Sequence, residues 1–262
     1  MAHLFIFGLG YSAKRIRAAT EALGWRVTAT GSDGELDFND EARIRAALGA
    51  ASHVLSSVPP DEADDPVLAR YGDALGHGWH GYVSSTGVYG DTGGAWVDES
   101  AATGTGRRSA RAAADTAWLQ RGARVFRLPG IYGPGRSALD RVAGGRAHRI
   151  ALPGQVFSRI HVDDIASGVI AAFEAPPGAY NLADDLPASQ NAVIEEACRL
   201  LGADLPPLQT LDEAGLSPQA RAFYVENRRV ANGKAKRVLG WRPAFPTYRE
   251  GLRACLAARL VP

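Results

Sequence analysis

The residues best suited to chemistry near the start of the chain are Gly8, Gly10 and Ala13, spaced as Gly-x-Gly-x-x-Ala. A short apolar run precedes them, and helical spacing of apolar residues begins at Tyr11. In that context Gly8 permits a tight turn, Gly10 lets the backbone approach a pyrophosphate, and Ala13 lets the helix pack closely. The free N–H groups at the helix start attract the anion. The pattern predicts a dinucleotide-binding loop that includes Tyr11 and Ser12; the alternative is a tight turn that binds nothing.

The end of the next predicted strand bears on the choice of dinucleotide. An acidic residue there bonds the ribose 2′-hydroxyl of NAD, whereas a nearby basic residue favours the 2′-phosphate of NADP. The stretch Thr30-Gly31-Ser32-Asp33 makes Asp33, with Ser32 beside it, a candidate ribose ligand. An Asp in a glycine-flanked loop is also a common turn former. Lys14 and Arg15, in the first helical turn, are the alternative ligands for a 2′-phosphate, so the choice between NAD and NADP stays open.

These residues need elements to position them, and the apolar spacing of the chain alternates between two periods. The pattern predicts strands at 3–7, 25–30, 52–58, 81–85 and 124–128, and helices at 11–23, 41–48, 66–75 and 107–121, with Asn39 or Asp40 capping the second helix. Strands that alternate with helices indicate βαβ units and a parallel sheet, which is an α/β fold. Later in the chain we expect strands at 158–162 and 178–182, and helices at 163–175, 191–201, 227–240 and 247–260.

Composition excludes several classes of function. The chain has 262 residues, and 29 Lys and Arg against 28 Asp and Glu give a net charge of +1, so no nucleic-acid partner is indicated. No apolar run approaches the roughly 18 residues that cross a bilayer, and the first residues lack the basic region of a signal peptide. Cys198 and Cys255 match no metal spacing. We therefore expect a cytoplasmic protein with reduced thiols, no metal site and no membrane partner.

Several strings, taken in order, resemble the extended short-chain dehydrogenase/reductase superfamily, in its atypical branch of small epimerase-like proteins. Their order and spacing cover roughly residues 3–183, and the tail at 232–251 also looks like the C-terminal helices of that family. The strings are residues 8–13 (GLGYSA), 37–38 (DF), 84–90 (SSTGVYG), 127–129 (RLP), 131–135 (IYGPG), 160–165 (IHVDDI) and 180–183 (YNLA).

The resemblance implies a Rossmann-like doubly wound parallel sheet with a small C-terminal substrate lobe. The expected NAD(P)-binding domain covers residues 1–183, of which 130–157 contribute to the lobe, and a mainly helical lobe covers 184–262. The resemblance also implies an oxidoreductase or epimerase-like enzyme that uses NAD or NADP on a small-molecule substrate. A homodimer paired through the helices predicted at 66–75 and 107–121 is a further expectation.

The resemblance assigns roles to individual residues. It places Asp37 and Phe38 at the adenine of the cofactor. Ser56, Ser57 and Val58 would lie along the adenosine and pyrophosphate, and Pro129 and Ile131 would lie at the nicotinamide. Ser85 would orient a substrate carbonyl, and Tyr89 would form the site wall.

Some residues in these strings have competing interpretations. Tyr89 is alternatively an ordinary packing residue. We interpret His161 as a structural hydrogen-bonding group rather than a base, and Asp163 and Asp164 as caps of the helix that follows them.

The sequence departs from the family at the catalytic pair. The usual chemistry needs Tyr-x-x-x-Lys on the helix after the fourth strand, where a spacing of four puts both side chains on one face. Here Arg107 and Arg111 take those places; no tyrosine lies between 90 and 131, and no lysine between 15 and 233. Arginine does not deprotonate near neutral pH, so Arg107 cannot be the normal acid/base. Tyr89, Tyr132 and His161 are the remaining candidates for that role.

Two further consequences follow from these arginines. Arg107, Arg108 and Arg111 at a helix start suit a planar anion, so an anionic substrate is one interpretation and a solvated charged face is the other. Loss of the pair also leaves three functions open: an enzyme with a modified site, a non-catalytic dinucleotide-binding sensor or regulatory protein, and a structural subunit that binds no nucleotide.

Overall fold

The computed structural model describes residues 2–62, 64–106 and 109–260, and it has an α/β fold. The strands are β1 His3–Phe7, β2 Arg26–Ala29, β3 His53–Ser56, β4 Trp79–Ser85, β5 Trp96–Val97, β6 Arg124–Leu128, β7 Gly130–Tyr132, β8 Arg149–Ile150, β9 Arg159–His161, β10 Gly178–Asn181, β11 Leu208–Gln209 and β12 Arg229–Val230. The helices are α1 Tyr11–Glu21, α2 Glu41–Ala50, α3 Pro66–Tyr71, α4 Ser109–Gln120, α5 Ala138–Ala143, α6 Val162–Ala171, α7 Gln190–Leu201, α8 Pro218–Ala222, α9 Gly233–Val238 and α10 Tyr248–Arg259.

One parallel sheet of six strands forms the centre of the molecule, in the order β10-β6-β4-β3-β1-β2. The chain builds outward from β1 to β2, then returns to β3 and builds in the opposite direction. In sheets of this kind ligands bind where the direction reverses, outside the carboxyl ends of the strands. The predicted doubly wound parallel sheet is confirmed, and the reversal lies between β1 and β3.

The central strand β1 shows why the sheet is covered on both faces. All five of its residues are buried, and alternate side chains belong to different core clusters: Leu4 and Ile6 to one, Phe5 and Phe7 to the other. The first cluster includes Ile16 of α1 and Ile165 and Val169 of α6. The second includes Ile44 of α2, Val67 and Tyr71 of α3, and Trp118 of α4. Helices therefore pack on both faces and leave the carboxyl edge for the loops.

The N-terminus of α6 corrects one prediction. The Nδ1 atom of His161 accepts a hydrogen bond from the backbone N–H of Asp163 at 3.3 Å, so His161 caps the helix, and Asp163 and Asp164 do not. Asp164 instead accepts hydrogen bonds from the backbone N–H groups of Ala244 and Phe245, at 2.6 and 3.1 Å. The expected structural role of His161 is confirmed. The predicted cap at Asp40 is also confirmed, since its carboxylate accepts from the N–H of Arg43.

The helices α5, α7 and α10 share a separate apolar cluster that includes Leu139, Ile194 and Leu252, and we call this part of the molecule the C-terminal lobe. The helix predicted at 227–240 is wrong in its first half. Arg229 and Val230 form β12, which pairs in parallel with β5, and the helix covers only Gly233–Val238. Val230 is buried in this pairing, so a tertiary contact outweighs local helical spacing.

The helices are short: the longest ones have 12 residues. Within the described ranges, none of them is long and apolar enough to cross a bilayer. No group of three or more His, Cys, Asp or Glu side chains in the same part of the chain is arranged to hold a metal ion.

Candidate active site

The glycine loop joins β1 to α1 at the carboxyl edge of the sheet. Gly8 has φ of +82°, a conformation that favours glycine, and a Cβ there would lie 3.0 Å from Val58 Cγ2. Its N–H donates to Thr30 Oγ1 at 3.0 Å, and the N–H of Leu9 donates to the carbonyl of Thr30 at 2.8 Å. The loop is therefore pinned between the ends of β2 and β3, at the reversal point of the sheet.

The N-terminus of α1 is open. No side chain caps it at Gly10, and its first turn contains no acidic residue. A Cβ on Gly10 would meet no atom within 4 Å, so the backbone there faces free space. Uncapped N–H groups at a helix start, beside a glycine that a ligand approaches closely, form an anion site. These residues fit the pyrophosphate of a dinucleotide.

The two rival candidates for ribose recognition form an ion pair with each other. Lys14 Nζ contacts the carboxylate of Asp33, and both side chains are about half exposed. Arg15, the other basic candidate, pairs with Asp163 across α1 and α6 at 2.8 Å. The ribose of a bound dinucleotide would therefore lie beside a lysine and an aspartate that already contact each other. Ser32, the residue before Asp33, is exposed.

The residues expected at the adenosine lie at the same edge. Phe38 packs edge-on against Tyr71, with ring centroids 5.4 Å apart, and is half-buried. One carboxylate oxygen of Asp37 accepts from the N–H of Asn39 at 2.7 Å, and the side chain is exposed. Ser56 is fully buried, and within the described residues its hydroxyl has no hydrogen-bond partner.

A cleft of about 1040 Å³ lies between the carboxyl ends of β4 and β6 and the C-terminal lobe. It brings together Ser57, Ser85, Arg111, Pro129 and Ile131, which the sequence assigned to the cofactor or the substrate. The Ser85 hydroxyl accepts from the N–H of Gly87 at 3.1 Å and so caps the 3₁₀ turn Thr86–Tyr89. Its position at the end of β4 is therefore fixed by the backbone.

Arg111 lies at the margin of this cleft. Its NH1 atom donates to the hydroxyl of Tyr82 at 2.9 Å and to the carbonyl of Val83 at 3.3 Å. The side chain is half-buried. Arg107 and Arg108 lie outside the described residues, so the predicted Arg107 partner of this site is not placed.

Tyr89 is placed differently from the expectation that it forms the site wall. It is almost fully buried; its hydroxyl donates to Asn181 Oδ1 at 2.8 Å and accepts from Arg127 NH1 at 3.0 Å. It does not line the cleft, because these two partners hold it behind the wall. The packing interpretation fits this placement, and we correct the catalytic assignment of Tyr89 to a structural one.

Of the other candidates for proton transfer, Tyr132 lines the cleft and His161 does not. Burial raises the pKa of Tyr132, and its hydroxyl is directed at Gly251, where an added Cβ would lie 2.0 Å from the oxygen. Burial lowers the pKa of His161, whose Nε2 is 3.7 Å from Cys255 Sγ. Burial therefore disfavours the charged form of each side chain.

Sequence reasoning missed the basic and aromatic residues that the lobe contributes to the cleft. They are Arg136, Arg141, Arg146, His148 and Tyr224. No motif marks them, since they lie on a short helix and on loops. The available signal was the excess of arginine over lysine, 26 of the 29 basic residues, which favours groups that form bidentate bonds with anions.

No protein-family model matches the chain. Two solved structures are similar along almost its whole length. A functionally unknown conserved protein from Silicibacter pomeroyi DSS is 41% identical, with a TM-score of 0.87, 98% of this chain covered and 99% of that one. The human epimerase family protein SDR39U1 (isoform 2) with NADPH is 16% identical, with a TM-score of 0.76, over 98% of this chain and 100% of that one. This chain has the extended short-chain dehydrogenase/reductase fold.

A curated protein that matches part of this chain is the 3-diazoavenalumate denitrifying reductase of a Streptomyces species. It is 35% identical over 144 residues, which are 49% of this chain and 45% of that reductase. The match thus spans less than half the length of the reductase. The superfamily resemblance drawn from the sequence strings is confirmed at the level of the fold.

Proposed function

We propose that the chain is an NAD(P)-dependent oxidoreductase, most simply a reductase, acting on a small molecule in the cleft. The single observation that carries this proposal is that the uncapped start of α1 and the cleft lie at the same edge of one parallel sheet. Gly8 follows β1, Ser85 ends β4 and Pro129 follows β6, so the dinucleotide loop and the two sides of the cleft are adjacent. The reductase activity named for the Streptomyces relative and the NADPH held by the human neighbour support it.

In this proposal, residues of the glycine loop bind the cofactor, and residues at the ends of β4 and β6 bind the nicotinamide and the substrate. The nicotinamide, when bound, supplies or accepts the hydride. Gly10 and the first N–H groups of α1 hold the pyrophosphate, and Pro129 and Ile131 bound the nicotinamide pocket. The Ser85 hydroxyl donates a hydrogen bond to the group being reduced. Arg111, in the place where the family has lysine, holds ribose hydroxyls and keeps positive charge near the reacting atoms.

The proposed site lacks the Tyr-Lys pair that usually transfers the proton. Arginine remains protonated, so Arg111 stabilises charge without exchanging a proton. General acid–base catalysis contributes about 10²- to 10⁴-fold in rate, so we expect turnover well below that of an enzyme with the Tyr-Lys pair. Substrates whose reduction does not need a proton at the first step suit the site best.

The second candidate is a dinucleotide sensor without turnover. The specific observation in its favour is that the Arg111 guanidinium is tied to Tyr82 and Val83, while the helix that carries it has no tyrosine. The glycine loop keeps its geometry independently of that helix, so binding survives the loss of catalysis.

Titration calorimetry with NADH, NADPH and their oxidised forms tests both. Micromolar binding of one form, followed by cofactor oxidation with a member of a carbonyl and diazo panel, supports the oxidoreductase. Binding without turnover, at affinities that differ between the oxidised and reduced forms, supports the sensor. Protein that is folded and free of retained ligand, yet binds none of the four, contradicts both.

A further inference from the structure

The wall that the C-terminal lobe contributes gives the cleft an excess of positive charge. Within the described residues, six arginines and two carboxylates line the cleft: Arg111, Arg136, Arg141, Arg146, Arg159 and Arg228, against Asp140 and Glu226. Both carboxylates have other partners. Asp140 accepts from the N–H and hydroxyl of Ser137 at 2.7 and 2.6 Å, and Glu226 accepts from Arg228 at 2.9 Å. One of the two carboxylates is thus already paired with an arginine of the cleft, and positive charge remains in excess.

The arginines differ in how well the protein satisfies them. Arg159 donates to the carbonyls of Phe157 and Ala188, at 2.8 and 2.9 Å, and reaches Gln190 Oε1 at 3.3 Å. By contrast, within the ranges that the structure describes, no oxygen accepts a hydrogen bond from the guanidinium of Arg141. Arg141 thus presents a full set of donors to the cleft.

The Arg141 side chain is exposed to the cleft, and several charged or polar neighbours act on it. Removal from bulk water lowers the pKa of Arg141, and the opposing effects of Tyr224 and Asp140 offset only part of this decrease. The positive charge of Arg141 in turn contributes to the lowered pKa of Arg159, so the two side chains repel each other. Tyr224 interacts electrostatically with both of them. A negative group bound at Arg141 and Tyr224 relieves this repulsion.

Apolar and aromatic side chains make up another part of this wall. The rings of Phe157 and Tyr224 meet edge-on with centroids 5.5 Å apart, and Phe223 is 51% exposed at the mouth. Leu216, Val193 and Ile131 also line the cleft. A ligand here meets one cluster of positive donors and a broad hydrocarbon surface.

We propose that this cleft binds a small organic acid, whose carboxylate bonds to the Arg141 guanidinium and the Tyr224 hydroxyl while its apolar body packs against Phe157 and Phe223. This inference rests on the proposed function, because it names the substrate class of the same site. A guanidinium binds carboxylate and phosphate by the same bidentate geometry. The apolar lining favours the carboxylate, since a nucleotide or free phosphate leaves that surface uncovered.

Matched ligands test the charge. 3-Phenylpropanoate and its neutral amide have nearly the same shape, so we expect the acid to bind at least about tenfold more tightly than the amide. Both are titrated calorimetrically into the full chain, with and without saturating reduced cofactor. Inorganic phosphate and UDP are titrated in the same way.

Matched variants locate the site. Arg141→Met keeps most of the side-chain length and removes the charge, and we expect it to weaken the acid about tenfold or more without changing the amide. Tyr224→Phe removes one hydroxyl and weakens the acid by a smaller factor. Arg253→Met is the control, because Arg253 is an exposed arginine of α10 whose nearest carboxylate is 4.0 Å away. Circular dichroism checks that each variant is folded.

The outcomes separate this inference from the proposed function. Equal affinity for acid and amide, absence of acid binding in either cofactor state, or an Arg141→Met variant that binds the acid normally each overturns the carboxylate site. Preferential binding of phosphate or UDP overturns it as well. If no dinucleotide binds but the acid still depends on Arg141, the oxidoreductase proposal fails and the carboxylate site remains.

Discussion

The Arg127 guanidinium holds the Asp115 carboxylate in two contacts, Nε to Oδ2 at 3.0 Å and NH2 to Oδ1 at 2.7 Å, with both side chains buried. The Ser84 hydroxyl donates to the same carboxylate at 2.6 Å, and Arg127 also donates to the hydroxyl of Tyr89. This network joins α4, β4 and β6 directly behind Ser85. It fixes the strand end that carries the proposed substrate contact; of its members Ser84 also lines the cleft, and its hydroxyl is held by Asp115.

Asp115→Asn tests how far this network stabilises the fold. It leaves a buried guanidinium without its charge partner, so we expect the free energy of unfolding to fall by about 3–5 kcal/mol, measured by urea denaturation. Asp73→Asn, at an exposed carboxylate that pairs with Arg45, should leave the free energy of unfolding nearly unchanged. Equal effects of the two substitutions would contradict the structural role of the buried pair.

Gly10→Ala separates binding from folding. A Cβ at Gly10 meets no protein atom within 4 Å, so stability should stay nearly unchanged, while the methyl group obstructs the pyrophosphate. We expect cofactor affinity to drop at least about tenfold by calorimetry. Gly49→Ala on α2, where an added Cβ also meets nothing, is the control and should bind normally. Normal dinucleotide affinity in Gly10→Ala would remove the loop from the proposed site.

The contact between Lys14 and Asp33 predicts how cofactor preference can be shifted. Asp33→Asn removes a negative charge and frees Lys14 for a 2′-phosphate, so the affinity ratio should move toward NADPH, about fivefold or more. Lys14→Gln should move it toward NADH. Glu41→Gln, on the exposed start of α2, controls for net charge. The ratio of dissociation constants from parallel titrations is the measurement; shifts of the same sign in both variants would contradict this assignment.

Asp184 predicts a pH dependence of stability. Its carboxyl is buried, one oxygen accepts from the N–H of Leu186 at 3.3 Å, and the other has no hydrogen-bond partner within the described residues. Burial raises the pKa of Asp184 to about 8, against an ordinary 3.8; Arg159 opposes the rise, and Asp185 and Asp164 add to it.

The raised pKa of Asp184 determines whether the free energy of unfolding rises or falls with pH. Between pH 4 and about 8 the folded protein holds a proton at Asp184 that the unfolded chain has lost, so stability decreases as pH rises through this window. Asp184→Asn removes this dependence. The free energy of unfolding of the variant minus that of the wild type, measured in urea, is the quantity to compare. We expect this difference to be at least about 1 kcal/mol larger at pH 8 than at pH 5. Asp212→Asn, at an 83% exposed carboxylate, should show no such gain; a similar gain there would contradict the assignment.

The central sheet and the glycine loop were predictable because their signals are local. The apolar run that became β1, followed at once by Gly8 and Gly10, encodes a buried strand and a turn within ten residues. Helix ends were less accurate: the helix predicted at 66–75 ends at Tyr71, and α4 ends at Gln120 rather than 121, while its predicted start at 107 lies outside the described residues.

The lobe was less predictable because its contacts are distant in sequence. Asp164 resembles a helix cap, yet its partners lie 80 residues later, at Ala244 and Phe245. Arg141 reaches the cleft only because α5 packs against α7 and α10. The domain boundary expected at residue 183 stays a prediction, as does the homodimer, for which we propose the surface of α3 and α4.

The parallel pairing of β5 with β12 has a consequence for anyone who wishes to recombine this protein with a relative. The ribbon joins residues 96–97 to residues 229–230, and Asn227 adds hydrogen bonds to Asp91, Thr92 and Gly94. In a chimera joined at a single point near residue 183, β5 would come from one parent and β12 from the other. The exchangeable unit is therefore discontinuous: a transplanted lobe must bring the loop after β4 with it.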